Sequence, residues 1–328
     1  MFVEQAKRRS TNKTEFLTQV GESSKRGVTL LWGRAQAPLC YHPRMLNDLW
    51  QSLDPVIFSI GAVSVRWYGL AYVLGFFCAG LAIWRTARRW HLRFEAYDVL
   101  VFVCYCSIGV ILGARIGYCL IYGDGYYLEH PEKILAVWEG GMSFHGGLVG
   151  LVLAGALYAR VYRMPFLTLA DLVANAVPIG LFFGRCANFV NGELYGAETT
   201  LPIGVDFTGD GTLYHPSQLY EALLEGVVLF CILWALSRKS DPPRPRGFFL
   251  GVFLFAYGVF RILIEFVRLP DEQIGYFFDG WGTMGQLLSL PMVAVGLLLV
   301  GWALKRNAPQ LGMPVFASDA SDGPESQC

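Results

Sequence analysis

Seven apolar segments, each about 20 residues long, restrict what this chain can fold into. A helix of about 20 residues, rising 1.5 Å per residue, crosses the hydrocarbon layer of a bilayer and satisfies its own backbone polar groups there. Only 16% of the residues are charged, against about 25% in soluble globular chains. The predicted fold is therefore an all-α polytopic membrane protein, a bundle of about seven transmembrane helices. The predicted spans are residues 68–87, 98–121, 144–163, 168–187, 217–237, 247–268 and 283–304.

The fourth span is the least regular of the seven. Asp171, Asn175 and Pro178 interrupt its apolar sequence. Proline and polar side chains are tolerated in a membrane bundle when neighbouring helices satisfy the freed groups. The segment is still predicted to span.

The distribution of charge predicts the orientation of the bundle. Lys and Arg total 26, and so do Asp and Glu, so no overall basic field favours a nucleic-acid partner. Short loops rich in Lys and Arg stay cytoplasmic. These residues concentrate after spans one, three, five and seven, which predicts an outer N-terminus and a cytoplasmic C-terminus. Eight Lys and Arg residues between Lys7 and Arg44 conflict with this orientation, but they lie far from the first span.

Three regions are predicted along the chain. Residues 1–44 form an extension or disordered leader, with Met45 as a possible true start. Residues 45–306 form the seven-helix transmembrane domain. Residues 307–328 form a disordered cytoplasmic tail, because Ser, Asp, Gly and Pro dominate the end of the chain.

The eight cysteines predict neither a disulfide framework nor a metal site. Six of them lie in apolar stretches, and no CxxC or Cys/His ligand spacing occurs. We interpret them as small packing residues. No metal or organic cofactor is indicated.

Eleven polar residues embedded in or at the ends of the spans fall in the outward halves. A charged residue within a span costs about 2.5–3.5 kcal/mol on insertion scales, so such residues usually face protein or a water-filled cavity. Polar groups also gather harmlessly at helix ends, where long side chains reach the interface. A one-sided set nevertheless predicts a site near the outer leaflet. Its members are Tyr68, Arg115, His145, Arg185, Asn188, Glu221, Glu225, Arg261, Glu265, Arg268 and Gln286.

Arg261, Glu265 and Arg268 recur at i, i+4 and i+7, which places them on one helix face. Glu265 is expected to pair with either arginine. Arg115 and Arg185 are expected to add a surplus of positive charge. Guanidinium groups bind phosphate bidentately and stay protonated, so the predicted ligand is a phospholipid.

Glycines form small-xxx-small stripes in two spans. Gly109, Gly113 and Gly117 lie in the second span, and Gly146 and Gly150 in the third. The spacing predicts close helix packing.

The stretch from Gly184 to Gly196 carries the densest set of hydrogen-bonding side chains. It resembles the G-R-x-x-N-F-x-N-x-E-x-x-G signature of the bacterial prolipoprotein diacylglyceryl transferase family at every fixed position. The resemblance covers about residues 54–306. Further matching blocks begin at Trp67 (W-Y-G), Gly141 (G-M-S-F-H-G-G-L-V-G), His215 (H-P-S-Q-L-Y-E) and Arg261 (R-x-x-x-E-x-x-R-x-P-D).

The resemblance implies a reaction and its partners. The diacylglyceryl group of phosphatidylglycerol is transferred to the lipobox cysteine in the signal peptide of a prolipoprotein. A thioether forms and glycerol phosphate leaves. The implied location is the bacterial cytoplasmic (inner) membrane, with the active site towards the outer leaflet of the bilayer.

The resemblance also implies roles for matching residues. The expected catalytic residues are Tyr68, His145, Arg185 and Arg261, with the two arginines holding the phosphate and stabilising the leaving group. Three roles stay open for His145: general base, lipid orientation or helix capping. The expected phosphatidylglycerol-binding residues are Arg185, Asn188, Asn191, Glu193, Gly196, Arg261, Glu265 and Arg268. We derive no role for His215 or Glu221.

Four other functions compete with this interpretation. A transporter or channel also buries charge, but its site usually lies near the midplane, between repeated halves. An intramembrane serine protease needs a G-x-S-G setting, which fails because Phe144 follows Ser143. A metalloprotease is disfavoured because H-E-x-x-H is absent. A lipid-binding scaffold would need no nucleophile chemistry.

Overall fold

The computed structural model describes residues 45–60, 63–123, 125–137, 140–239, 243–269 and 282–314 of the 328-residue chain. The predicted leader, residues 1–44, lies outside the described residues, and so does the predicted tail from residue 315 onwards.

Apolar helices make up most of the described chain. Six are long and apolar enough to cross a membrane, and a seventh, Phe248–Ile264, is shorter at 17 residues. This architecture confirms the predicted all-α polytopic membrane protein. The helices are α1 (Met45–Ser52), α2 (Trp67–Arg89), α3 (Ala96–Ile121), α4 (Phe144–Val161), α5 (Phe166–Asn191), α6 (Ser217–Lys239), α7 (Phe248–Ile264) and α8 (Met284–Arg306).

Short elements join these helices. An antiparallel hairpin, β1 (Val56–Ile60) with β2 (Val63–Arg66), precedes α2. Helical turns at Tyr126–Glu129 and Pro131–Leu135 connect α3 to α4. Helix α6 is not uniform, because its segment Ala222–Val228 is π-helical.

Helix α5 runs unbroken through the irregular fourth span, because neighbouring elements satisfy its polar side chains. Asp171 is fully buried and accepts hydrogen bonds from the Gly247 and Leu250 amides at 2.7 and 2.8 Å. The Asn175 amide group donates to the Asp171 carbonyl at 2.8 Å. Asp171 therefore caps the start of α7 from outside that helix.

Residues 307–314 pack against the bundle beyond the predicted domain boundary at residue 306. The Gln310 amide group donates to Asp171 at 2.7 Å, and the Met313 amide donates to the Arg93 carbonyl at 3.0 Å. The packed part of the chain therefore extends at least eight residues into the predicted tail.

The largest buried cluster lies at the Asp171 end of the bundle. It includes Phe94, Tyr158, Leu172 and Phe249, each almost wholly buried. A smaller cluster at the other end packs Trp50 of α1 against Phe189, with the Trp50 indole N–H donating to the Phe189 carbonyl at 2.8 Å. This second cluster supports the end of α5 that carries the candidate site. The six described cysteines are free thiols.

The glycine stripes of α3 and α4 face each other, which confirms the predicted close helix packing and identifies its two helices. A Cβ added at Gly150 would overlap the Gly109 carbonyl and press on Gly113, and one added at Gly146 would overlap the Gly113 carbonyl. The two backbones therefore touch directly.

We expect Gly150→Ala to lower the stability of the bundle by about 1–3 kcal/mol, because the added methyl group overpacks a backbone contact. Thermal unfolding in detergent measures the loss. Gly180→Ala is the matched control, since a Cβ at Gly180 meets nothing within 4 Å. Equal midpoints for the two variants would contradict the close packing.

Candidate active site

Three arginines from separate elements converge on one buried carboxylate. The Nε of Arg185 near the end of α5 lies 2.6 Å from Glu221 Oε2. The Nη1 atoms of Arg261 and Arg268 lie 2.7 and 2.8 Å from Glu221 Oε1. Glu221, near the start of α6, has no exposed side-chain surface. We call Arg185, Arg261 and Arg268, with their carboxylate partners Glu221, Glu225 and Glu265, the arginine cluster.

A second carboxylate braces two of the arginines. Glu265 Oε1 lies 2.6 Å from Arg261 Nη2 and 3.9 Å from Arg268 Nε, so Glu265 pairs with both arginines as expected. The Thr283 hydroxyl donates to Glu265 Oε2 at 2.5 Å. Because Thr283 caps the start of α8, that helix holds Glu265 in place.

The helical prediction is wrong for Arg268. Helix α7 ends at Ile264, so the sixth span is shorter than predicted and Arg268 lies beyond it. Residues Val267 and Arg268 instead pair with the chain at Gly196, where the Ala197 amide donates to the Val267 carbonyl at 2.9 Å. Arg268 therefore reaches the cluster through this pairing and not through helical periodicity.

Gly196 contributes backbone to this pairing. Its amide donates to the His215 carbonyl at 2.8 Å. A Cβ at Gly196 would overlap the Val267 carbonyl and crowd His215. Only glycine allows the three backbone segments to approach this closely.

Glu193 lies in a turn just after α5 and faces back towards that helix. Gly192 ends α5 in the left-handed region with φ 68°. The side-chain amides of Asn188 and Asn191 donate to the Glu193 carboxylate at 3.4 and 3.0 Å. Burial raises the pKa of Glu193, and the two amide hydrogen bonds oppose that shift.

Side chains at the start of α6 form hydrogen bonds to the backbone of the Glu193 turn. Gln218 donates its side-chain amide to the Glu193 carbonyl at 2.6 Å, and the Ser217 hydroxyl donates to the Leu194 carbonyl at 3.0 Å. Leu194 has a left-handed backbone with φ 56°, which is unusual for leucine. The first turn of α6 therefore positions both the Glu193 turn and Glu221.

Tyr68 lies at this end of the bundle, at the start of α2. Its hydroxyl interacts electrostatically with Glu193 and Arg185, and it lies 3.4 Å from the Tyr72 hydroxyl. Tyr68 therefore borders both the arginine cluster and the Glu193 turn.

His145 and Arg115 are not brought into the cluster. Arg115 is buried and donates to the carbonyls of Lys133, Ile134, Gly140 and Gly141, so it holds the loop between α3 and α4. The expected surplus of cation from Arg115 is therefore absent from the arginine cluster. His145 is exposed at the start of α4, and its ring packs against Phe144. Within the described part of the chain, His145 forms no hydrogen bond or ion pair with the arginines.

Sequence reasoning missed the central position of Glu221 and the contributions of Ser217 and Gln218. One signal was available. Arginines buried in three different places require a buried counter-charge, and Glu221 and Glu225 are acidic residues in the outward half of a span that carries no arginine of its own.

The cluster has a buried anionic side and a partly open cationic side. The side chains of Arg185, Arg261 and Arg268 are 17%, 15% and 10% exposed, whereas those of Glu221 and Glu225 are 0% exposed. An anion that approaches from the open side therefore meets guanidinium groups first. Such a surface can bind a phosphate through several N–H donors.

Comparison with known proteins agrees with this chemistry. The model of the prolipoprotein diacylglyceryl transferase family matches residues 55–302. Three relatives carry the name phosphatidylglycerol–prolipoprotein diacylglyceryl transferase. The Geobacter sulfurreducens protein is 51% identical over 256 residues, which cover 78% of this chain and 97% of the relative. The Nitratidesulfovibrio vulgaris protein is 48% identical over 249 residues, covering 76% and 94%. The Aliivibrio salmonicida protein is 46% identical over 283 residues, covering 84% and 94%. The chain belongs to the prolipoprotein diacylglyceryl transferase family.

Proposed function

We propose that this protein transfers the diacylglyceryl group of phosphatidylglycerol to the lipobox cysteine of a prolipoprotein signal peptide. The cysteine sulfur forms a bond to the glyceryl carbon, and the bond between that carbon and the phosphate oxygen breaks. The electron pair leaves with glycerol phosphate, and the thiol proton passes to a base. The observation that carries the proposal is the open guanidinium surface of the arginine cluster.

Arg185 and Arg261 are the proposed phosphate ligands. Negative charge grows on the departing phosphate during the reaction, so donors placed beforehand stabilise the transition state more than the bound lipid. A guanidinium group remains protonated throughout, so it supplies charge and not protons. Glu221 and Glu265 hold Arg261 in the required orientation, and Arg268 is proposed to add a third guanidinium group beside the phosphate.

The Glu193 turn is the proposed contact for the polar head of the lipid. Asn188, Asn191 and Glu193 offer donors and acceptors beside the arginines, and Gly196 keeps the adjoining backbone close. Tyr68 borders both groups and is proposed to donate a hydrogen bond to the lipid. His145 stays the candidate base; it must reach the thiol of a bound peptide, since it has no contact with the cluster by itself.

The proposed location is the bacterial inner membrane, with the arginine cluster near the outer leaflet. The support is the distribution of Lys and Arg. Arg88 and Arg89 end α2, and Lys305 and Arg306 end α8, so basic residues gather at the end of the bundle opposite the cluster.

A direct assay tests the proposed reaction. Purified protein in detergent is incubated with phosphatidylglycerol and a synthetic lipobox peptide, and the peptide mass is measured. We expect a diacylglyceryl adduct that is absent when phosphatidylcholine replaces the lipid or serine replaces the peptide cysteine. Folded protein that forms no adduct but moves a solute across vesicles would favour the transporter interpretation.

A further inference from the structure

Glu225 is a buried carboxylate that the proposed phosphate contacts do not use. It lies four residues after Glu221, within the π-helical segment of α6. π-helical segments often occur at functional sites. The side chain is 0% exposed, and within the described part of the chain neither carboxylate oxygen accepts a hydrogen bond. A buried carboxylate that accepts no hydrogen bond is costly and requires an explanation.

Arg185 is the cation nearest to Glu225, and the two side chains are far enough apart to move closer together. Arg185 Nη2 lies 3.8 Å from Glu225 Oε2, whereas Arg185 Nε lies 2.6 Å from Glu221. Glu221 already serves three arginines. Glu225 has one long ion pair, and neither of its oxygens accepts a hydrogen bond, so it can draw Arg185 closer without losing another contact.

The charges of the arginine cluster show why the interaction of Glu225 with Arg185 matters for phosphate binding. Three arginines face three glutamates, so the cluster has no formal surplus of positive charge. A phosphate that binds there must therefore compete with internal carboxylates for the guanidinium groups. Within the described part of the chain, Glu225 forms an ion pair only with Arg185 and interacts with Arg261 and Arg268 at longer range.

Competition between Glu225 and phosphate for Arg185 would help the product to leave, because substrate and product carry different charges. The phosphodiester of the lipid carries a single negative charge, but the released phosphomonoester carries about −1.5 to −2 near neutral pH. Arginines alone would therefore hold the product more tightly than the substrate. A carboxylate that reclaims Arg185 opposes this retention.

We propose that Glu225 is a positioning residue that competes with the product phosphate for Arg185 and so promotes release of glycerol phosphate. This inference rests on the proposed function, because it requires that Arg185 binds the phosphate. In this role Glu225 forms no bond in the reaction and acts through its nearest cation, Arg185.

Product inhibition tests the proposal. Turnover of the lipobox peptide is measured in mixed micelles of phosphatidylglycerol while glycerol phosphate is titrated, with wild type and Glu225→Gln. We expect the inhibition constant of glycerol phosphate to fall about tenfold in Glu225→Gln, because removal of one nearby negative charge strengthens phosphate binding. The KM for phosphatidylglycerol and kcat should both fall, since the lipid binds more tightly and the product leaves more slowly.

Three further variants define the outcome. Glu225→Asp keeps the charge and should retain inhibition close to wild type. Glu225→Ala is a second neutral variant, and if Glu225→Gln does not fold, the same tenfold fall in the inhibition constant is expected of Glu225→Ala. Glu129→Gln removes an exposed charge from the loop after α3 and should change nothing.

The results separate this inference from the proposed function. An active Glu225→Gln enzyme whose inhibition by glycerol phosphate is unchanged overturns the inference. Weaker inhibition together with a raised KM for phosphatidylglycerol also overturns it, because that combination indicates structural damage. Failure of the wild-type protein to form the peptide adduct contradicts the proposed function instead.

Discussion

Arg185→Ala and Arg261→Ala should each reduce diacylglyceryl transfer by at least about 100-fold, the scale set by removing one preorganised donor from a developing negative charge. Both guanidinium groups are partly open, and each also holds Glu221 in a short ion pair. The mass-spectrometric peptide assay measures the loss. The lysine variants should recover only part of the rate, because lysine keeps the charge but lacks the planar fork.

A loss of fold is the alternative explanation for inactive arginine variants. Thermal unfolding and the yield of membrane-inserted protein distinguish the two explanations. Arg160→Ala is the matched control, since Arg160 is an exposed arginine at the far end of α4. If Arg185→Ala or Arg261→Ala folds normally and turns over at the wild-type rate, that residue is not a phosphate ligand.

Glu221→Gln should damage both stability and activity. The side chain is fully buried, and three guanidinium groups lie within 2.8 Å of it. Neutralising it leaves three buried arginines with a reduced counter-charge, and breaking a buried pair costs about 3–5 kcal/mol. The arginines would then repel one another and lose their common orientation. Thermal unfolding in detergent and the peptide assay measure the two effects.

Glu225→Gln provides the comparison for Glu221→Gln, because the same chemical change is made one helical turn away. Glu225 has one long contact, so its substitution should cost far less stability. A Glu221→Gln protein as stable as Glu225→Gln would show that Glu221 does not organise the cluster.

Much of the fold follows directly from the sequence. Apolar segments of about 20 residues have one stable arrangement in a bilayer, so α2 to α6 and α8 lie where hydropathy places them. Glycine spacing likewise predicted close helix packing, and the structure shows that α3 and α4 are the two helices in contact. The end of α7 was not predictable in this way, because Phe266 and Val267 are as apolar as the helix before them. Backbone pairing with Gly196 ends the helix there.

The site was predictable in its residue types but not in its pairings. Charge within the spans selected Arg185, Arg261, Glu265 and Arg268, and the structure brings all four together. The same rule also selected Arg115, which instead binds four loop carbonyls. A cost of burial shows that a charge needs a partner, but does not say which partner.

Local composition and spacing are enough to predict the membrane-spanning helices, the end of the bundle that holds the charges, and the family signature. The pairing of Glu221 with three arginines, and of Glu225 with one distant cation, is visible only in the folded bundle. Those contacts join residues 36 to 47 positions apart. Their geometry depends on how α5, α6 and α7 pack, which local patterns do not encode.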